Sequence, residues 1–196
     1  LLSAAERMGI RTDLLLGDPE WLYPDNRKDL LEILLKMKNY NFKDVHLDIE
    51  PDSLPAAEEK RGVLREQLID TASEAMKVSG KPLSLSIHPR YLEGDKGAGP
   101  RGFNDLGLEY LSVMIYTTNP DAAADRMKDI MLSHPGLKFF LAQSVERALP
   151  KEESYFLSGI ENFGQNMDRI CRKLSNNNNY KGVIIQSWED FGGMLK

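Results

Sequence analysis

Asp44-Val45-His46-Leu47-Asp48-Ile49-Glu50-Pro51 alternates apolar and polar side chains from Val45 onward. On a strand that alternation puts Val45, Leu47 and Ile49 on one face and His46, Asp48 and Glu50 on the other. Two carboxylates and an imidazole on one strand face are costly to bury unless they are paired or used. Side chains two residues apart on a strand stand roughly 6.5–7 Å apart, so one carboxylate perturbs the next without bonding to it. Pro51 cannot donate to a sheet ladder, so the predicted strand stops at Glu50. Glu50 then sits at the carboxyl end of a strand, where α/β folds carry their catalysis. The plainer alternative is a strand that runs from core to rim with a solvated acidic end.

Outward from that strand the chain alternates. Upstream, Leu1 to Met8 reads as the tail of a helix stopped by Gly9, and 10–16 as a buried strand. Gly17-Asp18-Pro19-Glu20-Trp21 is the loop at that strand's end. A helix over 27–40, capped by Asp25 or Asn26, has Leu30, Leu31, Ile33, Leu34, Leu35 and Met37 as its apolar face. Downstream, a helix over 57–78 buries Leu64, Leu68, Ala72, Ala75 and Met76 and stops at Ser79-Gly80-Lys81-Pro82. In the strand over 83–87, Leu83, Leu85 and Ile87 alternate with serines, and His88-Pro89-Arg90-Tyr91 follows it. The glycine-rich stretch 93–104 reads as a mobile loop. Further strands are expected over 108–116, 137–143 and 181–186, with helices from Pro120 to Ser133 and over 155–174, and a short terminal helix.

Strand then helix, repeated six times with no hairpin signal, predicts a parallel sheet with crossover helices. An open doubly wound sheet competes with a (β/α)8 TIM-type barrel that lacks its first two strands. A complete barrel takes ~250 residues. This chain has 196 and opens inside a helix, which favours the incomplete barrel, a single α/β domain over 1–196. No Gly-x-Gly-x-x-Gly or phosphate-loop motif directly follows a strand, which weakens a nucleotide-binding reading.

Composition narrows the classes. The charged share is 28% and the hydrophobic share 41%, ordinary for a globular protein. The formal charge of −5, without a basic cluster, gives no support for nucleic-acid binding. Cys171 is the one cysteine, so neither an internal disulfide nor a cysteine zinc cluster can form. On the helix over 155–174 it reads as a small core residue. No apolar run approaches the ~20 residues of a membrane helix, so membrane insertion is not expected.

The strand ends gather a distinctive mix. In chain order they carry Asp18, Glu20 and Trp21; Asp48 and Glu50; His88, Arg90 and Tyr91; Tyr116, Thr117 and Asn119; Gln143 and Glu146; and Gln186, Trp188 and Glu189. Amides and carboxylates bind hydroxyls, and aromatic faces cover the apolar faces of sugar rings, so the expected partner is a carbohydrate. Loops are polar in any case, which is the alternative for each residue singly. His46 and His88 beside carboxylates raise a metal reading, but no His-x-His or His-Glu-x-x-His spacing supports it, and no metal or cofactor is assigned. His46, two residues deeper than Asp48, is read as a hydrogen-bond partner inside the barrel and is counted among the substrate-binding candidates. His134, before Pro135, is read as surface.

Lys43-Asp44-Val45-His46-Leu47-Asp48-Ile49-Glu50 resembles the fourth-strand signature of chitinase-like family 18 glycoside hydrolases, Asp-Gly-x-Asp-x-Asp-x-Glu. His-Leu-Asp-Ile-Glu-Pro, with Gly17-Asp18-Pro19-Glu20-Trp21 one unit earlier, is similar to bacterial glycoside-hydrolase-type TIM-barrel proteins. Met114-Ile115-Tyr116 resembles the family's sixth-strand Met-x-Tyr, and Gly182-Val183-Ile184-Ile185-Gln186-Ser187-Trp188 its eighth-strand end. The resemblance makes these strands the third to eighth of a barrel. It implies Glu50 as the general acid, Asp48 as the carboxylate that orients a substrate acetamido group and raises the acid's pKa, and Tyr116 as a second acetamido partner. His46 and Lys43 replace two aspartates of the signature, and Gln186 replaces a tryptophan, which bears on specificity rather than on the acid. Glu146, at the seventh-strand position, is the alternative nucleophile. A carboxylate separation of ~5–5.5 Å would favour retention through such a nucleophile, and ~6.5–9.5 Å inversion. The resemblance further implies secretion, the periplasm or the cell envelope. Beside a glycoside hydrolase stand a carbohydrate-binding module without activity and a metal-dependent deacetylase.

A barrel lacking two strands exposes two sheet edges, which pair readily with another chain. The expectation is that either the missing part lies in the full-length protein or a homo-oligomer covers the edges. Size-exclusion chromatography with light scattering checks this, and a stable soluble monomer would count against the incomplete barrel unless terminal segments shield both edges.

Overall fold

The computed structural model describes residues 2–93 and 102–195. It comprises two compact units, Leu1–Leu111 and Ser112–Lys196. Most of the expected mobile loop, 94–101, lies outside the described residues. The strands β1 (Leu14–Leu16), β2 (Val45–Leu47), β3 (Leu83–Ile87), β4 (Leu111–Met114), β5 (Phe139–Ser144) and β6 (Tyr180–Gln186) follow one another in chain order in a six-stranded sheet, with β1 and β6 at its ends. The pairs β1–β2, β2–β3 and β5–β6 are parallel. The alternation of strand and helix read from the sequence is therefore the architecture observed.

In the first unit, the helices are α1 (Leu2–Arg7), α2 (Pro24–Met37) and α3 (Arg61–Ser79). Val45, Leu47 and Ile49 are each 1% exposed or less, as the alternation requires. On the opposite face His46 is buried, Asp48 half-buried and Glu50 exposed. The Arg11 guanidinium pairs with Asp44 at the strand's inner end. The helix over 27–40 starts earlier than expected, because Pro24 is favoured in a first turn. Neither Asp25 nor Asn26 caps it; Tyr23 is the N-cap residue and makes no side-chain bond. Of its six expected apolar-face residues, only Leu30 and Leu34 are fully buried, while Leu35 is exposed. Six apolar positions span more than one helical stripe, and Arg27 takes the third buried place. Its guanidinium donates to Thr71 Oγ1 at 2.9 Å and to Glu74 Oε1 at 2.6 Å, tying α2 to α3. The helix α3 ends on Gly80, whose φ of +63° a side chain would disfavour.

His46 lies opposite Ser84 in the parallel register. Its Nδ1 is 2.7 Å from Ser84 Oγ and its Nε2 2.9 Å from Ser86 Oγ, so both ring nitrogens are satisfied inside the unit. Burial pushes the imidazole below its ordinary value of 6.5, against the opposing pull of Asp48 and then Asp13.

In the second unit, α4 (Pro120–Ser133) opens on Asn119, whose Oδ1 accepts from the N–H groups of Asp121 and Ala122, both at 3.1 Å. Lys173 and Arg169 of α5 (Gly159–Leu174) pair with Asp121. Val145, Tyr155 and Phe163 form a core cluster against which Phe191 and Met194 of α6 (Trp188–Met194) pack. Burial alone raises the Tyr155 hydroxyl to about 12.

Two stability predictions follow from the β1–β2–β3 packing. A Cβ at Gly17 would stand 2.4 Å from the Asp48 carbonyl oxygen, which is backbone and cannot give way. Gly17→Ala is therefore expected to cost about 1–3 kcal/mol in denaturant titration, whereas Gly62→Ala, with open space around it inside α3, stabilises by about 0.4–1 kcal/mol. For His46, the unfolded chain takes up a proton near pH 6.5 and the folded chain does not. The contribution of His46 to stability is present above that value and is lost as pH falls toward the lowered folded value. His46→Gln should flatten the fall in urea midpoint between about pH 7.5 and 5.5; an unchanged slope would refute the neutral imidazole.

Candidate active site

The ladder of β2 ends at Leu47, and the chain continues extended through Asp48, Ile49 and Glu50 before Pro51–Ser53 turns as a single 3-10 turn. Asp48 is still held to β1, because its N–H donates to Leu16 O at 2.9 Å. Its Oδ1 is buried and has no hydrogen-bond partner among the described residues. Glu50 is exposed, and its carbonyl accepts from Ser53 N at 3.1 Å. His46, Asp48 and Glu50 thus form a graded series on one face, from an enclosed neutral ring through a half-buried carboxylate to an exposed one.

The turn after Glu50 is anchored to the end of β3. Tyr91, fully buried, donates its hydroxyl to Asp52 Oδ1 at 2.9 Å. Burial and then this bond to Asp52 raise the Tyr91 hydroxyl far above its ordinary value. Arg90 Nε lies 3.5 Å from Asp52 Oδ2 and 2.8 Å from His88 Nδ1. His88 and Arg90 therefore stand together beside the Asp52 turn. Asp52, Ser84 and Ser86 were not among the residues singled out from the sequence. The serines were visible there as the polar half of an alternating strand, and Asp52 as a carboxylate one step past the strand-ending proline.

The loop after β1 folds against itself. Asp18 Oδ1 accepts from Glu20 N at 2.9 Å, and Asn26 Nδ2 donates to Glu20 Oε2 at 3.2 Å. Trp21 is only 9% exposed and belongs to the hydrophobic core of the unit, so it presents no open ring face. A proline–tryptophan pairing after a strand signals burial as readily as it signals a sugar platform.

The strand ends of the second unit carry the remaining candidates. Tyr116 is half-buried. Asn119 is occupied as the cap of α4. Gln143 is fully buried, with its Nε2 donating to Ile115 O at 2.6 Å and Ala142 O at 3.0 Å, and reads here as a packing residue of β5. Glu146 Oε2 accepts from Ser144 Oγ at 3.1 Å. Gln186 is half-buried and precedes a cis peptide bond to Ser187. Trp188 is 80% exposed, and Glu189 is exposed beside it. Arg147, next to Glu146, lies with its guanidinium 4.7 Å over the Phe156 ring and had not been singled out. Among the described residues no three His, Cys, Asp or Glu side chains are grouped so as to hold a metal, and no helix is long and apolar enough to cross a membrane.

No protein-family model and no curated protein sequence matches the chain. Solved structures do. A GH18 chitinase from Pseudoalteromonas aurantia superposes with a TM-score of 0.59 at 14% identity, over 94% of this chain and 72% of that one. A GH113 beta-1,4-mannanase gives 0.62 at 14% identity, over 96% and 66%. The PgaB (BpsB) glycoside hydrolase domain from Bordetella bronchiseptica gives 0.57 at 12% identity, over 96% and 74%. The chain thus spans about two thirds to three quarters of these barrels, and identities this low speak to fold. Its fold is that of the TIM-barrel glycoside hydrolases, to which it is a distant structural relative.

Proposed function

We propose that this protein cleaves a glycosidic bond in a polysaccharide or glycoconjugate, with Glu50 as the general acid. The observation that supports this best is the pair of carboxylates at the end of β2. Asp48 keeps a buried oxygen without a hydrogen-bond partner among the described residues, and Glu50 follows it, exposed, on the same strand face. The Asp48 carboxylate as a whole is half-buried, and a ligand donor that bonds to it makes a charge-assisted hydrogen bond of about 1.5–3 kcal/mol. The amide N–H of a 2-acetamido sugar is such a donor. Held there, the acetamido oxygen can assist departure of the leaving group while protonated Glu50 donates to the glycosidic oxygen. His88 and Arg90 are proposed to contact the saccharide.

Binding without cleavage is the second reading. It is favoured by His46 in place of a signature aspartate, since the imidazole is locked between serines and takes no part at the rim.

Chitooligosaccharides of four to six units test both. Glu50→Gln is expected to lower the cleavage rate by about 10²–10⁴-fold with an unchanged thermal midpoint, and Asp48→Asn to lower it with a smaller effect on binding. Binding without turnover by the unaltered chain would establish the second reading. Turnover that survives Glu50→Gln would remove Glu50 from the mechanism.

A further inference from the structure

The second unit holds a cavity of about 470 Å³ lined by Arg147, Trp188, Glu189, Asp190, Gly192 and Gly193. The chemistry proposed at Glu50 does not explain its lining. Trp188 is 80% exposed, so its ring face is open to a ligand. The ring is nevertheless braced from behind. Its centroid is 5.8 Å from that of Phe191, which lies 6.0 Å from Phe163, which in turn meets Tyr155 at 5.5 Å.

Arg147 is the second feature. Its guanidinium is stacked on Phe156 and makes no ion pair among the described residues, although two carboxylates line the same cavity. Asp190 is committed elsewhere: its Oδ2 accepts from the backbone N–H of Arg147 at 3.1 Å, which fixes the main chain that carries the guanidinium. Gly192 and Gly193 add no side chain, and a Cβ at Gly193 would come within 3.6 Å of Arg147 Nη2. A guanidinium stacked on a ring keeps its N–H edge free for a planar bidentate acceptor.

We propose that this cavity binds a pyranose bearing a carboxylate, the uronic acid residue of an acidic polysaccharide. Trp188 covers the apolar face of the ring, Arg147 takes the carboxylate through two N–H groups, and Glu189 accepts from ring hydroxyls. A neutral sugar would use the indole and leave the guanidinium edge without its matching acceptor. A cationic amino sugar would be drawn to Glu189 but opposed by Arg147, the group held most firmly. This inference rests on the reading that the protein handles a carbohydrate, and not on cleavage at Glu50.

The test uses two probes that differ at C6 alone: a β-1,4-linked mannuronate tetrasaccharide and β-1,4-mannotetraose. Each is titrated into the full chain by calorimetry and by tryptophan fluorescence, with circular dichroism to verify the fold of every variant. The mannuronate probe is expected to bind at least about tenfold more tightly, with an affinity that falls as salt is added. Arg147→Gln should abolish that preference and keep the weaker neutral binding. Arg147→Lys should restore part of it, and Trp188→Ala should weaken both probes. Equal affinity for the two probes, binding of neither, or a preference that survives Arg147→Gln would overturn the proposal. Chitooligosaccharide turnover measured alongside separates the two readings. Turnover without a mannuronate preference refutes this inference alone, and a mannuronate preference without turnover refutes cleavage alone.

Discussion

An imidazole can sit inside a sheet only if both ring nitrogens are met, and in this protein that requirement fixes the strand on which the candidate chemistry depends. Ser84 and Ser86 are two residues apart on β3, so both hydroxyls point to the same face. The parallel register places His46 against the first of them, and the ring spans from one to the other. A shift of one residue would turn the serines away and bring Leu85 to the imidazole. With His46 fixed, the alternation assigns the places of Asp48 and Glu50. Each step of two residues moves outward, from buried ring to half-buried carboxylate to exposed carboxylate.

The same strand meets a second constraint on its other neighbour. β1 comes so close to β2 at Gly17 that no side chain fits against the Asp48 carbonyl. The Asp48 N–H is meanwhile engaged by Leu16. The backbone of Asp48 is thus held from β1 while its carboxylate projects on the His46 face. Beyond it, Tyr91 and Arg90 hold Asp52, so the turn that starts at Glu50 is tied to β3 as well. Exposure of Glu50 on an anchored turn differs from exposure on a free loop, since its backbone is positioned before any ligand arrives.

The architecture was legible in the sequence because it is written in periodicity. The strand over 83–87 and the helix from Pro120 to Ser133 carry their own stop signals, and both match β3 and α4 to the residue. Strand lengths were overread at 10–16 and 108–116. Apolar runs continue past the last ladder bond wherever extended chain is buried without pairing, as at Ile49 and Ile115. The face of α2 was overread for a different reason. Leucines outnumber the places on one stripe, and nothing local says that Leu35 loses to Arg27. Within the candidate site, alternation put Asp48 and Glu50 on one face with His46, but partners distant in sequence could not be read. That Gln143 is packed into β5 and that Asp52 is clamped by Tyr91 both depend on pairings tens of residues apart.

An unpaired buried polar atom does not by itself mark a site. Ser112 Oγ, Gln143 Oε1 and Tyr155 Oη share that condition with Asp48 Oδ1. The difference lies in charge and in the residue's place on the strand. Ser112, Gln143 and Tyr155 are enclosed residues, and each orphan atom on them is uncharged at neutral pH, so its cost is a modest defect of packing. Asp48 is half-buried, carries a carboxylate, and has Glu50 two residues ahead on its own face. Asp44 Oδ2, the other orphaned carboxylate oxygen among the described residues, belongs to a side chain paired with Arg11.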